Sequence, residues 1–412
     1  MDRQDPDKLD SKCDFPKEKS IQICKDRSKI RQDILIFISR PHFGPTVRRC
    51  NYKKNIQQQI TLLQQDHIKM KNTKINTGIL SFGMSGRVFH APFIHSNPHF
   101  NLVAVVERSQ KIAQDLYPEI KSYDTVDQLL ADDTIALVIV NTPNHTHFEF
   151  ATEALKAGKH VLIEKPAVEN ITQFNELSEV SKKSGKRIFF YQNRRYDSHF
   201  LDVKKVIESG NLGKLTEVSF RFDRYKMELG QKYFKENNQY ISSGLTYDLG
   251  PHIIDQAISL FGKPLKFSKT TSINRPDSQV ADYFHYHLRY PNELNVFLTG
   301  SLAVADPLPA FVVNGTKGSF IKTMADVQEQ QLIDGMLPNN PAYGVEPNGS
   351  EGKLVTIDNT NQKHISYPLP HRGDYNLLFN DIYENLVNEV EYPITMDHIR
   401  WQIEMLSADN NL

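Results

Sequence analysis

The sequence predicts an α/β protein: a doubly wound parallel sheet over residues 74–195, then an α+β domain over residues 196–412 built on a large, mostly antiparallel sheet. In the first region, short apolar runs alternate with helical patterns, which is typical of parallel sheets. Beyond residue 197, strand patterns follow one another across turns rich in Gly, Pro and Asn, which indicates antiparallel pairing. A chain of 412 residues is also too long for one ordinary core, so two domains are expected.

From residue 74 onward, the individual strands and helices follow from local sequence patterns. Strands of the first domain are predicted where apolar runs lie between turn residues, at 75–80, 102–107, 136–140, 160–163 and 188–191. In the second domain, a helix at 200–208 precedes alternating strand patterns at 216–224, 265–271, 282–290, 294–302 and 310–314.

Residues 1–73 are predicted to lie outside both domains, either as a disordered basic tail or as upstream sequence wrongly joined to the gene. The first 70 residues hold 15 Lys and Arg against 9 Asp and Glu. Met70 leads directly into the first strand, which favours it as the natural start. All three cysteines, Cys13, Cys24 and Cys50, lie here at spacings that suit neither a disulfide framework nor a metal site.

Charge and hydropathy exclude several classes of partner. The formal net charge of the whole chain is zero, so nothing indicates nucleic acid or an anionic membrane. No apolar stretch reaches the length of a membrane span. His285 and His287 share one face of a predicted strand, but a metal site needs further ligands, so no metal is predicted. We expect a cytoplasmic protein.

Residues 81–86 read SFGMSG and follow the first predicted strand. This is the dinucleotide fingerprint of a Rossmann domain, with serine in place of its first glycine. Gly83 would let the backbone approach a pyrophosphate, and Gly86 would let helix and strand pack closely. A helix from Arg87 would offer free N–H groups to the phosphates. The predicted cofactor-binding residues of this loop are Ser81, Phe82, Gly83, Met84, Ser85 and Gly86.

Glu107 and Arg108 follow the second predicted strand, about twenty residues past the glycines, where the fingerprint places an acid. A carboxylate favours the free ribose hydroxyl of NAD, whereas a guanidinium favours the 2′-phosphate of NADP. Both residues are therefore expected to contact the cofactor, and the choice between NAD and NADP stays open.

Lys165 stands between Glu164 and Pro166, at the carboxyl end of the strand at 160–163, where parallel sheets bind ligands. Its amine could bind an oxyanion, polarise a carbonyl or relay a proton. The proline limits the backbone of Lys165 and allows a cis bond. The alternative is an exposed lysine before a loop proline.

Asp248 and His252 form a D-x-x-x-H pattern that leads into a helix with apolar residues at 253, 254, 257, 258 and 260. One helical turn brings the two side chains within reach. The carboxylate would raise the proton affinity of the imidazole, which suits a general base near neutral pH. The alternative is a helix cap by Asp248 beside a buried histidine.

Together these elements resemble the glucose-fructose oxidoreductase, inositol dehydrogenase and rhizopine catabolism family, Gfo/Idh/MocA. The resemblance covers nearly everything from Lys74 onward and is most similar to the branch containing NADP-dependent scyllo-inositol dehydrogenase. It rests on the segments SFGMSGRVFHAPF, NTPNHTH, AGKHVLIEKP, YQNRRYD and YDLGPHIIDQ.

The resemblance implies a catalytic group of Lys165, Asp248 and His252: the histidine takes a hydroxyl proton with help from the aspartate, and the lysine orients the reacting oxygen. It also implies further cofactor-binding residues, namely Thr142, Pro143, Asn144, His147, Glu164 and Lys165, of which His147 is interpreted as structural. Substrate-pocket candidates, which could equally be interface or core, are Asn193, Arg194, Tyr196 and Tyr283. Family members commonly form homodimers or homotetramers through the second sheet.

The expected function is NAD(P)-dependent hydride transfer between a nicotinamide cofactor and a secondary hydroxyl of an inositol-like polyol or a sugar. One alternative is a non-catalytic nucleotide sensor on the same fold. Another is a reductase of C=C or imine bonds, similar to biliverdin reductase, which would not need the Asp-His base. The particular substrate and the natural direction do not follow from the sequence.

Overall fold

The computed structural model describes residues 74–230 and 236–411, and all structural statements below concern these residues. The first sheet has six strands in the order β3-β2-β1-β4-β5-β6. Every neighbouring pair runs parallel. The strands are β1 (Ile75–Ile79), β2 (Phe100–Val106), β3 (Lys121–Tyr123), β4 (Leu137–Val140), β5 (His160–Ile163) and β6 (Ile188–Phe190).

Helical segments connect these strands. A π-helical turn, Gly86–His90, continues into α1 (Ala91–Ser96), and the later helices are α2 (Ala113–Leu116), α3 (Val126–Leu130), α4 (His147–Lys156) and α5 (Ile171–Ser184). β1 lies between β2 and β4, so the strand order reverses direction there. Doubly wound sheets bind their ligands at the carboxyl ends of the strands at this reversal.

The second sheet has eight strands in the order β14-β13-β12-β11-β7-β10-β9-β8. Only β7 and β10 pair in parallel within this sheet, and the other pairs are antiparallel. The strands are β7 (Leu215–Asp223), β8 (Lys266–Ser272), β9 (Tyr283–Arg289), β10 (Asn295–Ser301), β11 (Phe311–Gly315), β12 (Gly318–Lys322), β13 (Lys353–Ile357) and β14 (Lys363–Ser366).

One face of the second sheet carries a core and the other is open. The helices are α6 (Ser198–Glu208), α7 (Leu245–Asp248), α8 (Gly250–Phe261), α9 (Gln328–Ile333), α10 (Asn376–Asn388) and α11 (Met396–Ser407). Residues of α6, α7, α8 and α11 share a buried cluster with the sheet. Along β9, Phe284 and Tyr286 are fully buried in this cluster, whereas Tyr283 and His285 are partly exposed on the opposite face.

The chain returns to the first sheet after completing the second. Leu378, Phe379 and Ile382 of α10 lie in the same buried cluster as the first sheet. The ring of Phe379 stacks on Phe93 of α1 at 5.3 Å between centroids. Residues near the carboxyl end therefore help to build the core beside the first sheet. The division of the chain at residue 195 stays a prediction.

The predicted fold class is confirmed: a parallel sheet precedes a larger, mostly antiparallel one. Most predicted strands agree with the observed ones to within one or two residues. The sequence patterns did not predict β3, β12, β13 or β14, and the first helix begins at Met84 rather than at Arg87. The prediction for residues 1–73 lies outside the described residues. Among the described helices, none has the length and apolar character needed to span a bilayer.

Candidate active site

The glycine-containing loop between β1 and the π-turn is held closed by one asparagine. The backbone N–H of Ser81 donates to Oδ1 of Asn141 at 3.0 Å, and Nδ2 of Asn141 donates to the Ser81 carbonyl at 2.7 Å. A Cβ added to Gly86 would lie 2.2 Å from that same carbonyl, whereas one added to Gly83 would meet nothing closer than 3.7 Å. Gly86 therefore lets the helix pack on the loop, and Gly83 leaves the outer side of the loop open.

A cleft of about 730 Å³ lies along the carboxyl ends of β1, β2 and β4. This volume falls within the range of about 300–1,000 Å³ that is usual for ligand pockets. It is lined by residues of the loop and of both neighbouring strand ends, including Ser81, Phe82, Gly83, Arg87, Glu107, Arg108, Thr142 and Pro143. The space and its lining fit a dinucleotide, because N–H groups, an open glycine and two guanidinium groups line one channel.

The Glu107 carboxylate is directed into the protein. Oε1 accepts the backbone N–H groups of Ile112 and Ala113 at 2.9 and 3.1 Å. Oε2 accepts the hydroxyl of Ser122 at 2.7 Å, and the residue is buried. Arg108 is exposed at the cleft. The acid of the fingerprint thus stabilises the loop after β2, and the guanidinium beside it is the more accessible group.

The segment after β4 is tied to two other parts of the chain. Nδ2 of Asn144 donates to the Ser242 carbonyl at 3.2 Å. The ring nitrogens of His147 lie 2.8 Å from the Pro166 carbonyl and 2.9 Å from the Thr142 carbonyl. Burial lowers the pKa of His147. Both of its nitrogens are engaged by the backbone, in agreement with the structural interpretation, so a cofactor contact by His147 stays a prediction.

Lys165 and Asp248 meet across the site. Nζ of Lys165 lies 2.7 Å from the Asp248 carbonyl and 3.4 Å from its Oδ1. The lysine side chain is 19% exposed and that of Asp248 34% exposed, so both remain open to a ligand. The Lys165–Pro166 peptide bond is cis. The structure thus brings together two segments that are 83 residues apart in the sequence.

His252 lies in the first turn of α8, which begins at Gly250, and Asp248 ends α7 just before it. The N-cap residue of α8 is Leu249, and it makes no side-chain cap hydrogen bond. The cap alternative for Asp248 stays a prediction. Burial lowers the pKa of His252 well below its usual value, Lys165 and Arg194 lower it further, and Asp248 only partly opposes them. Asp248 thus acts in the expected direction, but desolvation and the two cations outweigh it, so the pKa of His252 lies below rather than near its usual value. Nδ1 of His252 is buried and has no hydrogen-bond partner among the described residues.

Of the four substrate-pocket candidates, the structure brings Arg194 towards His252. The Arg194 guanidinium lies 5.2 Å from the centre of the Phe222 ring, and that ring lies 6.5 Å from His252. Arg194 also forms ion pairs with Asp197 and Glu329. Asn193 is buried in the same 3₁₀ turn. The sequence patterns missed Phe222 and its neighbour Arg224, whose guanidinium lies 5.0 Å from the ring.

The two tyrosine candidates lie elsewhere. Tyr196 donates its hydroxyl to Oδ2 of Asp381 and packs in the core beside the first sheet. Tyr283 lies on the open face of the second sheet, because side chains alternate along β9 and the adjacent Phe284 is in the core. The structure does not bring either tyrosine into the group around His252, and a substrate contact by Tyr196 or Tyr283 stays a prediction.

Comparison with known proteins identifies the family of this chain. Residues 75–192 match the model of the oxidoreductase family with an NAD-binding Rossmann fold, and residues 200–321 match the Gfo/Idh/MocA C-terminal domain. The chain belongs to the Gfo/Idh/MocA oxidoreductase family. It is therefore an NAD(P)-dependent oxidoreductase, as the resemblance of the motifs implied.

Individual relatives agree with the family assignment. An uncharacterized oxidoreductase of Schizosaccharomyces pombe is 36% identical over 79% of this chain and 93% of its own. The scyllo-inositol 2-dehydrogenase (NADP(+)) of Bacillus subtilis is 31% identical over 82% of this chain and 92% of its own. A crystal structure of an oxidoreductase from Bacillus cereus matches with a TM-score of 0.75 at 29% identity, covering 81% of this chain and 95% of that one.

Proposed function

We propose that this oxidoreductase transfers a hydride between a nicotinamide cofactor and a secondary hydroxyl of an inositol-like polyol or a sugar. The observation that carries the proposal is the contact of Lys165 with Asp248, 2.7 Å from the carbonyl and 3.4 Å from Oδ1, beside the buried His252. Lys165 is close enough to His252 to lower the pKa of the imidazole, and a cation near an imidazole is what alcohol oxidation needs. The name of the Bacillus subtilis relative supports a polyol as the substrate.

In this proposal each residue has a separate role. His252 is neutral at neutral pH, because burial lowers its pKa, so it is able to accept the hydroxyl proton of the substrate. The Lys165 ammonium donates a hydrogen bond to the oxygen from which that proton leaves, and Asp248 holds the lysine in place. When bound, the nicotinamide supplies the acceptor for the hydride from the carbon. A non-catalytic sensor has no need for this group.

We further propose that the cofactor is NADP rather than NAD. Both oxygens of the Glu107 carboxylate already accept hydrogen bonds from Ile112, Ala113 and Ser122, so the acid is poorly placed to take ribose hydroxyls as well. Arg108 is exposed beside it at the cleft, and a guanidinium suits a 2′-phosphate. The NADP(+) dependence in the name of the Bacillus subtilis relative supports this choice.

The experiment follows the reduction of NADP and of NAD with a panel of inositols, aldoses and related polyols, beside a Lys165→Ala variant. We expect turnover with NADP and a secondary alcohol, and a loss of at least about 100-fold in kcat for the variant, the lower end of what positioned acid–base groups contribute. Binding of nucleotide without oxidation of any alcohol or reduction of any ketone would favour the sensor.

The open face of the second sheet is proposed as the interface of a homodimer or homotetramer. Cross-strand pairing places Val312 beside Ile321, and Val355 beside Ile365, all on this face. Ile321 and Ile365 are 38% and 56% exposed. An apolar row across an open sheet favours burial against a second copy. Light scattering after gel filtration tests this, and a monomer at micromolar concentration would contradict it. The cytoplasmic location stays a prediction from the sequence.

A further inference from the structure

His90 is a fully buried histidine that contacts the carboxylate next to Lys165. Its Nε2 lies 2.9 Å from Oε1 of Glu164, and the His90 side chain is 0% exposed. The hydroxyl of Ser85 donates to the same oxygen at 3.1 Å, and the backbone N–H of Lys165 lies 3.1 Å from Oε2. The Glu164 carboxylate is thus held from three directions, and its side chain is still 13% exposed.

The backbone that presents His90 is unusual. His90 ends the π-helical turn, in which the N–H of Ala91 bonds to the Gly86 carbonyl five residues earlier. Such turns are rare and frequently occur at functional sites. The hydroxyl of Tyr191 donates to the Phe89 carbonyl at 2.9 Å, and the Tyr191 ring packs on His90 at 4.5 Å between centroids. The turn and Tyr191 together fix the direction of the imidazole.

The hydrogen-bond chemistry defines which nitrogen of His90 donates. A carboxylate only accepts hydrogen bonds, so Nε2 carries the hydrogen. Nδ1 is buried and has no partner among the described residues. Leaving a buried polar atom without a partner is unfavourable and calls for an explanation. Burial works to raise the pKa of Glu164, but the hydrogen bond from His90 and the charge of Lys165 hold it below its usual value. Glu164 therefore stays ionised, as an acceptor.

The residues beside Glu164 indicate what its carboxylate accepts. Ser85 belongs to the loop that faces the phosphates, and Lys165 belongs to the group that faces the reacting oxygen. The part of a nicotinamide dinucleotide that lies between its phosphates and its reacting carbon is the nicotinamide riboside. Its ribose hydroxyls are hydrogen-bond donors, which a carboxylate takes well.

We propose that His90 is a positioning residue for the cofactor: it holds the Glu164 carboxylate where this accepts hydrogen bonds from the nicotinamide riboside. The inference rests on the nucleotide site of the proposed function and goes beyond it, because it assigns a role to a residue outside the predicted site. His90 itself touches neither cofactor nor substrate, and it acts through Glu164.

The test compares two ligands that differ only in the nicotinamide half. NADPH and 2′-phospho-ADP share the adenosine, the 2′-phosphate and the two phosphates of the pyrophosphate, but 2′-phospho-ADP lacks the whole nicotinamide riboside. Calorimetry measures the Kd of each. His90→Leu removes the donor at similar volume, and we expect it to weaken NADPH binding about tenfold while the Kd of 2′-phospho-ADP changes less than about twofold, as the loss of a hydrogen bond to a charged group implies. His90→Gln, which restores an N–H near the Nε2 position, is expected to recover most of the loss.

Two controls separate positioning from a structural role. His95→Leu changes an exposed histidine of α1, which packs on Tyr117 away from Glu164, and should affect neither ligand. In a Glu164→Gln background, His90→Leu should have little further effect, because both changes act on one carboxylate.

Equal weakening of both ligands by His90→Leu, or no weakening of either, would overturn the inference. Because the readout is binding, a selective loss stands even if no alcohol is oxidised, in which case only the proposed reaction fails. If the wild type prefers NADH, the pair NADH and ADP replaces the pair that carries the 2′-phosphate. A wild type that binds neither pair refutes the nucleotide site and this inference together.

Discussion

The two glycines of the cofactor loop are expected to respond in opposite ways to the same substitution. Gly86→Ala adds a methyl group 2.2 Å from the Ser81 carbonyl oxygen, where Cβ contacts essentially never fall below 3.0 Å. The difference, 3.0 − 2.2, means that the carbonyl must move by at least 0.8 Å. Because that carbonyl also accepts from Asn141 at 2.7 Å, the movement disrupts the hydrogen bond that closes the loop.

The magnitude follows from three contributions. Overpacking a fitted site costs about 1–3 kcal/mol, and losing a typical internal hydrogen bond costs about 1 kcal/mol. Alanine in place of a helical glycine returns about 1 kcal/mol. We therefore expect Gly86→Ala to lower the free energy of unfolding by about 2 kcal/mol. Gly83→Ala meets nothing closer than 3.7 Å and should change stability by less than about 0.5 kcal/mol.

The affinity for the cofactor is a second property by which the Gly83→Ala and Gly86→Ala variants should differ. A methyl on Gly83 stands on the open side of the loop, where the pyrophosphate has to approach the backbone, so Gly83→Ala should weaken NADPH binding strongly without destabilising the protein. Urea unfolding gives the stability of each variant, and calorimetry gives the Kd for NADPH. Wild-type stability for Gly86→Ala, or wild-type affinity for Gly83→Ala, would refute this account of the loop.

Three further changes test the electrostatics of the molecule. Arg108→Ala should weaken NADPH binding about tenfold or more in calorimetry, since hydrogen bonds to charged groups contribute about 1.5–3 kcal/mol. An equal loss of affinity for NADH would contradict a role of Arg108 in binding the 2′-phosphate. As pH is lowered, the rate of alcohol oxidation should fall only below about pH 6.5, the ordinary pKa of histidine, because burial lowers the pKa of His252. A fall centred above that pH would argue against His252 as the base. Burial and the charges of Lys186 and Arg187 lower the pKa of His160 to about 4. The unfolded state therefore takes up the proton of this histidine first, and stability is lost as pH falls below about 6.5. Between about pH 6.5 and 5 the loss amounts to about 1.6 kcal/mol. His160→Asn should remove that acid loss in urea titrations, and an unchanged pH dependence would show that other groups cause it.

The sequence was sufficient for those parts of the site that depend on strand ends. Parallel strands deliver their carboxyl ends to one edge of a sheet, so the sequence alone predicts that Ser81, Glu107 and Lys165 lie along the same edge. The alternation along β9 could also have predicted that Tyr283 lies on the open face of the second sheet, because the apolar Phe284, Tyr286 and Leu288 already mark the buried face.

Other features depend on three-dimensional surroundings that no local pattern contains. The pKa of His252 is set by desolvation and by Lys165 and Arg194, which come from distant segments. The direction of the Glu107 carboxylate is fixed by Ile112, Ala113 and Ser122 in the following loop and strand. The π-turn that presents His90 has no sequence signature of its own, since it depends on packing against Tyr191.

The most direct test of the proposed chemistry follows a labelled hydride. NADPH deuterated at C4 is incubated with keto derivatives of inositols and sugars, and the products are analysed for deuterium on the carbon that bears the new hydroxyl. The account predicts deuterium at that carbon for the wild type and a rate at least about 100-fold lower for Lys165→Ala. Binding of NADPH without transfer to any keto compound, or undiminished transfer by Lys165→Ala, would contradict it.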